Sequence, residues 1–125
     1  MDLFRIYHLQ CARRLPGLPD SHPCSRLHGH SFQIKLTLRG DLDPRLGWVM
    51  DFDAIDAIWQ RIHARLDHRY LNDIEGLSNP SSENLAVYLW HSLQQDLPQL
   101  RSIAVFEGHD KGCIYYGDSQ PGRSV

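Results

Sequence analysis

The chain has 125 residues, of which 42% are hydrophobic and 22% are charged, and its formal net charge at pH 7 is −2. A chain of this length is expected to form one domain, residues 1–125, with a hydrophobic core of its own. The near balance of charges, without a basic block or a long apolar run, argues against nucleic acid and the membrane as partners.

The N-terminal segment is predicted to be a strand and not a targeting signal. Residues 1–7 lack the basic start, apolar stretch and small-residue cleavage site of a secretory signal, so we expect a cytoplasmic protein. Residues 3–11 are rich in aromatic and β-branched side chains and predict a strand. This strand should end before residues 13–19, whose prolines and glycine oppose a continuing ladder.

The clearest strand runs from His28 to Arg39, where apolar and polar side chains alternate almost strictly. The apolar side chains that share one face are Phe32, Ile34, Leu36 and Leu38. A strand with one buried face is therefore expected.

Two helices are predicted to follow. Asp51 is typical of an N-cap, and apolar residues recur at three- and four-residue spacing from Phe52 to about Leu66, which indicates an amphipathic helix. Ser81–Glu83 is predicted to open a second helix, which Pro98 closes.

Two short strands, residues 102–107 and 112–116, complete the predicted fold, and the tail after Gly117 is expected to fray. Because the order ββααββ separates strands from helices, we expect an α+β fold with a four-stranded antiparallel sheet and two helices on one of its faces. The other face and the edges of such a sheet would need solvent or another subunit, which favours a homo-oligomer.

Histidine is the residue type that the chain uses unusually often, with eight copies. His28 and His30 begin the best strand, and a period of two puts both imidazoles on one face with Cα atoms about 7 Å apart, within reach of one cation. The alternative is that both rings hydrogen-bond to loops at a strand end. A catalytic zinc normally has three protein ligands, so two histidines alone do not establish a zinc site.

Cysteine provides a second candidate. Three cysteines without close spacing do not predict a disulfide framework. Cys24 lies in a loop near His22 and Arg26, and nearby cations favour the thiolate, the form that acts as a base or nucleophile. The alternative is that Cys24 is a small buried hydrophobic residue.

Two carboxylates are further candidates. Asp67 stands beside His68 after the first helix, where it can orient the ring for acid–base chemistry, although a histidine there also stabilises the helix dipole. Glu107 ends an apolar strand, where a partly buried carboxylate needs partners. A ligand with paired N–H donors would satisfy it.

Together these segments resemble the family of 6-pyruvoyltetrahydropterin and 6-carboxytetrahydropterin synthases, and most of all the bacterial 6-carboxytetrahydropterin synthases of queuosine biosynthesis. The resemblance extends over nearly the whole chain. It is carried by Arg-Leu-Pro at 14–16, Cys-Ser-Arg-Leu-His-Gly-His-Ser-Phe at 24–32, Gly-Trp-Val-Met-Asp-Phe at 47–52, Leu-Asp-His at 66–68, Tyr-Leu-Asn-Asp at 70–73, Asn-Pro-Ser-Ser-Glu at 79–83 and Gly-Cys-Ile-Tyr at 112–115.

The resemblance implies the tunnelling fold, in which subunit sheets join into a barrel, active sites lie between subunits and the usual assembly is a hexamer of two trimers. It implies a lyase that converts 7,8-dihydroneopterin triphosphate, a small-molecule pterin, to 6-carboxytetrahydropterin, acetaldehyde and triphosphate. By the same resemblance Cys24 is the general base, Asp67 and His68 form a proton relay, and Glu107 anchors the pterin ring.

The resemblance also implies a zinc ion (Zn2+) held by three histidines, but Arg13 stands where the first belongs, which leaves His28 and His30 as metal ligands. Arginine stays protonated and only donates hydrogen bonds, so it cannot ligate zinc. Three arrangements are open: Arg13 turns away while His22, His8 or water completes a weaker site; its guanidinium replaces the cation; or synthase activity is lost and the pocket binds pterin without turnover or serves a related pterin.

Overall fold

The α+β fold expected from the sequence is confirmed by a computed structural model of the protein, which describes residues 1–117. Along the chain lie β1 (Asp2–Arg13), β2 (His28–Arg39), α1 (Phe52–Leu66), α2 (Ser82–Leu93), β3 (Leu100–Phe106) and β4 (Gly112–Tyr115). The four strands form one antiparallel sheet in the order β1-β2-β3-β4. The tail predicted to fray after Gly117 lies outside the described residues.

The core lies between the sheet and the two helices. Helix α1 contacts β1, and α2 contacts β3 and β4. The predicted apolar face of β2 is buried, whereas Phe52, which begins the predicted helical spacing, is exposed and Ile58 is partly buried. The buried residues of the two helices are Ile55, Trp59, Ile62, Leu66, Leu85, Leu89 and Leu93. The apolar side chains that alternate along the strand and those that recur every three or four residues in the helices therefore pack in one hydrophobic layer.

Both predicted helix starts are confirmed by their capping hydrogen bonds. The Asp51 carboxylate accepts a hydrogen bond from the backbone N–H of Asp53 at 3.0 Å, and the Ser81 hydroxyl accepts one from Asn84 at 3.1 Å. These contacts satisfy N–H groups that have no partner within the helix. Within residues 1–117, neither helix combines the length and the apolar character needed to cross a membrane.

Strand β1 is longer than the sequence predicted, because it continues through Arg13. Two sets of contacts extend it. On one side Arg13 is the register partner of His28 in β2. On the other side, the backbone after α1 runs along the edge of β1, where the Ala12 N–H donates to the Arg69 carbonyl at 2.9 Å. The end of the sheet is thus held from both sides, and this is where the predicted site residues lie.

Candidate active site

The register of β1 and β2 brings four polar side chains to one end of the sheet. Cys11 pairs with His30, and Arg13 pairs with His28. All four share the face that carries the buried residues of both strands, because side chains alternate along each strand. The predicted pair of histidines therefore lies beside an arginine and a cysteine.

A cavity of about 670 Å³ opens at this end of the sheet. His30, His68 and Glu107 line it together with Cys11 and Tyr70. The cavity thus brings together three of the residues that the sequence singled out. Among the described residues that form its wall, Cys24, Asp67 and His28 do not appear.

Asp67 and His68 form a tight hydrogen-bonded pair. His68 Nδ1 lies 2.6 Å from Asp67 Oδ2, and since a carboxylate oxygen accepts, Nδ1 carries the proton. Burial by itself raises the pKa of Asp67, but the backbone N–H of Gln10 and the hydrogen bond from His68 outweigh it and hold that pKa below its usual value. The imidazole therefore keeps its Nε2 for a proton transfer.

The backbone also fixes the direction of His68. This residue has a φ of 58°, a left-handed conformation that residues other than glycine seldom adopt. Its N–H donates to the Gln10 carbonyl at 2.5 Å, which anchors the conformation to β1. Strain of this kind is found where a side chain must be aimed, and here the exposed ring is held at the cavity wall.

His63 was missed by the sequence analysis. Its Nε2 lies 3.4 Å from Asp67 Oδ1, so the Asp67 carboxylate has an imidazole near each oxygen. The spacing of four residues along α1 is the signal that could have found it, since such residues are neighbours on a helix surface.

Glu107 is held by Arg13, a contact that the sequence analysis did not predict. The guanidinium of Arg13 donates to Glu107 Oε1 and to the carbonyl of Pro80 at 3.0 Å, and it lies 4.9 Å from the centre of the Phe32 ring. Burial raises the pKa of Glu107, but the hydrogen bond and the charge of Arg13 outweigh it and keep that pKa below the usual range. The carboxylate is therefore ionised at neutral pH and can accept hydrogen bonds from a ligand.

His28 and His30 retain half of a metal site. Nδ1 of His28 donates to the Arg26 carbonyl at 2.8 Å, an arrangement that leaves Nε2 free as a ligand atom. Nε2 of His30 is buried and has no hydrogen-bond partner within the described residues. Burial and the nearby charge of Arg13 lower the pKa of His30, so its ring is neutral at neutral pH.

The residues present do not fit a zinc site with three protein ligands. Within residues 1–117, no three His, Cys, Asp or Glu side chains are grouped closely enough to hold a metal ion. His22 uses its Nδ1 to accept from the Cys24 N–H at 3.1 Å, and His8 is exposed. Arg13 does not turn away, since its side chain is 3% exposed. Of the open arrangements, the one in which His22 or His8 completes the site is not the one observed.

Cys24 lies in a short 3-10 turn, Pro23–Ser25, before β2. It is partly buried, and its carbonyl accepts from the Leu15 N–H at 2.8 Å. This bond and the one from Arg14 Nε to the Ser25 carbonyl, at 2.7 Å, tie the turn to the segment after β1. The thiol is thus held in a defined turn close in sequence to the site.

Comparison with known families and proteins gives a consistent result. The family model described as 6-pyruvoyl tetrahydropterin synthase matches residues 2–118. The 6-carboxy-5,6,7,8-tetrahydropterin synthase of Synechocystis sp. is 32% identical over 120 residues, covering 91% of this chain and 92% of that protein. The dihydroneopterin monophosphate aldolase of Pyrococcus furiosus is 33% identical over 89 residues, covering 69% of this chain and 75% of that protein.

The same likeness is seen among solved structures. The 6-pyruvoyl tetrahydropterin synthase of Caenorhabditis elegans superimposes with a TM-score of 0.86 at 26% identity, covering 94% of this chain and 95% of that chain. The tunnelling fold expected from the sequence is thereby confirmed.

Proposed function

The chain belongs to the 6-pyruvoyl tetrahydropterin synthase family, and from this premise we propose that it is a lyase acting on a pterin. The reaction proposed is the conversion of 7,8-dihydroneopterin triphosphate and water to 6-carboxytetrahydropterin, acetaldehyde and triphosphate, a step of queuosine biosynthesis. The Synechocystis relative, named for the 6-carboxy product and matched over nearly its whole length, supports this choice of branch.

The observation that carries the proposal is the Asp67–His68 pair beside the cavity that Glu107 lines. A reaction that cleaves a carbon–carbon bond within the side chain of a bound ring needs a group that fixes the ring and a group that moves protons at the side chain. Glu107 is suited to the first task, because an ionised carboxylate matches adjacent N–H donors of a 2-amino-4-oxo pyrimidine. His68, oriented by Asp67, is suited to the second.

Cys24 is proposed as the general base, as the resemblance implies. Its thiolate would remove a proton from the pterin side chain, and His68 would give or take the second proton through Nε2. The resemblance implies that the active sites lie between subunits, so Cys24 need not belong to the same cavity wall as His68 within one chain. We accordingly propose that the active protein is a homo-oligomer, a trimer or hexamer.

The test is incubation with 7,8-dihydroneopterin triphosphate while acetaldehyde release is followed. Asp67→Asn is the informative variant, because its Oδ1 can still accept from the Gln10 N–H while its amide no longer favours the proton on His68 Nδ1. We expect kcat to fall by about 100-fold or more with little change in melting temperature. An Asp67→Asn protein with unchanged kcat would remove the relay from the mechanism.

A second candidate is a protein that binds pterin without turnover or acts on a related pterin. Two observations support this candidate. Arg13, paired with Glu107, occupies the position of a metal ligand, and one relative is named as an aldolase acting on dihydroneopterin monophosphate. Tight binding of the pterin with no acetaldehyde would select the binding protein. Release of product from 7,8-dihydroneopterin monophosphate, but not from the triphosphate, would select the related pterin.

A further inference from the structure

We propose that the buried Arg13–Glu107 ion pair takes the place of a metal ion in this site. In this proposal the guanidinium of Arg13 is the site's resident cation, and it keeps zinc away from His28 and His30. Arg13 is thereby a positioning residue, which holds the carboxylate of Glu107 at the cavity wall. Metal content is measured without substrate, so this proposal and the proposed lyase activity can fail independently.

The first argument is the location of the charge. Arg13 is the register partner of His28, and its side chain emerges on the same face of the sheet as both histidines. Antiparallel partners have Cα atoms about 5 Å apart, so a dication bound by the histidines would lie beside a permanent positive charge. Burial of the guanidinium leaves little water to screen that repulsion.

The second argument is that the guanidinium is fixed. It is bonded to Glu107 and to the Pro80 carbonyl, and it packs over the Phe32 ring. These contacts come from the residue after β3, from the loop before α2 and from β2, so moving the side chain out would break all of them. A zinc ion would also have to replace Arg13 as the charge that balances Glu107.

The third argument is that the histidine half of a metal site is intact. Nε2 of His28 and Nε2 of His30, neither of which has a hydrogen-bond partner within residues 1–117, are the atoms that a metal would use. Since a third histidine opposite His28 would complete a set of three, position 13 decides whether the site takes a metal. The proposal therefore predicts that the Arg13→His variant gains metal binding.

The experiment compares zinc binding in purified, tag-free full-length variants. Each is equilibrated with zinc chloride, dialysed and analysed for zinc per chain, and affinity is measured by competition with a chromophoric chelator. The matched control is Arg14→His, because Arg14 is the next residue, is exposed and directs its side chain to the Ser25 carbonyl rather than to Glu107. Arg13→His combined with His28→Ala tests whether the new histidine acts with the old pair.

We expect wild type and Arg14→His to retain far less than one zinc per chain, and Arg13→His to retain about one. The affinity of Arg13→His should exceed that of wild type by at least about 100-fold, because the loss of one ligand costs more than the loss of an outer-shell contact. Removing His28 should abolish this gain.

Wild-type protein that keeps about one zinc per chain after dialysis would overturn the proposal, whether or not Arg13→His folds. A folded Arg13→His protein that binds zinc no better than Arg14→His would also overturn it, since position 13 would then not face the histidines. Circular dichroism of each variant establishes that it is folded before zinc is measured.

Discussion

Arg13 and Glu107 also depend on each other for stability. Arg13 is almost fully buried, and Glu107 is its carboxylate partner. Glu107→Gln keeps the shape of the side chain but leaves the buried guanidinium without a counter-charge. We expect the free energy of unfolding to fall by about 3 kcal/mol, the usual cost of breaking a buried ion pair from one side. Urea unfolding at pH 7 measures it.

The control for this prediction is the double variant Arg13→Gln/Glu107→Gln. With both charges gone, no buried ion lacks a partner, so the double variant should be clearly more stable than Glu107→Gln alone. If Glu107→Gln unfolds at the same urea concentration as wild type, the ion pair contributes nothing to the fold.

The sequence predicted which residue types form the site better than it predicted their contacts. Glu107, His30 and His68 were named as candidates from their positions, and all three line the cavity. The direction of Arg13 could not be predicted, because it depends on Glu107 and Pro80, which are distant in sequence and reach it only through the folded sheet. A residue's role as ligand, base or anchor is likewise not fixed by proximity, so those assignments stay predictions.

At the scale of helices and strands, the sequence pattern predicted the features that depend on neighbouring residues in the chain. The alternation from His28 to Arg39 predicted β2 with its observed bounds, and the Asp51 cap predicted the start of α1. The end of β1 was predicted two residues short, because the pairing that extends it comes from β2 and from the segment after α1. Long-range pairing of this kind leaves no periodic signal in the sequence.

One carboxylate adds hydrogen bonds to the packing of α1 against β1. Asp56 in α1 accepts hydrogen bonds from Arg5 at 2.9 and 3.2 Å and from the Tyr7 hydroxyl at 2.6 Å. The hydrogen bonds from Arg5 and then Tyr7 lower the pKa of Asp56 below its usual value. Behind this cluster the Tyr7 ring stacks on Trp59 at 4.8 Å. The cluster therefore joins the open edge of the sheet to the core.

This cluster predicts a pH-dependent stability. A carboxyl whose pKa is lower in the folded state stabilises the fold above its unfolded pKa, which is about 3.9 for Asp, and the contribution is lost as the pH falls through the folded pKa. Asp56→Asn should therefore be less stable than wild type by about 1 kcal/mol at pH 7. The difference should shrink below about pH 4. Thermal or urea unfolding across this range measures it.

The control is Asp53→Asn in the same helix, because Asp53 lies in the first turn and, within the described residues, makes no hydrogen bond to Arg5 or Tyr7. The Asp53 variant should show no comparable change in its pH profile. An Asp56→Asn difference that stays constant from pH 7 to pH 3 would show that the charge of Asp56 is not what attaches the helix.

At the scale of the whole molecule, the sheet ends in strands whose outer edges are open over much of their length. β1 and β4 are the two edge strands, and the backbone after α1 covers β1 near Ala12. The helix-free face carries exposed apolar side chains, among them Phe4 and Ile114. Uncovered edges and apolar side chains of this kind are what neighbouring subunits would cover.

Ile114→Pro tests assembly through the edge of β4. The Glu107 N–H donates to the Lys111 carbonyl at 3.1 Å, and since bonded and unbonded pairs alternate in an antiparallel ladder, the Ile114 N–H points away from β3. Proline at 114 therefore removes an outward donor and leaves the pairing with β3 in place.

Light scattering should give a multiple of 14.4 kDa for wild type and for Ile114→Val, which keeps the N–H, and a single chain for Ile114→Pro. A wild-type monomer would contradict the assembly itself, whereas an intact oligomer of Ile114→Pro would place the subunit contact away from β4.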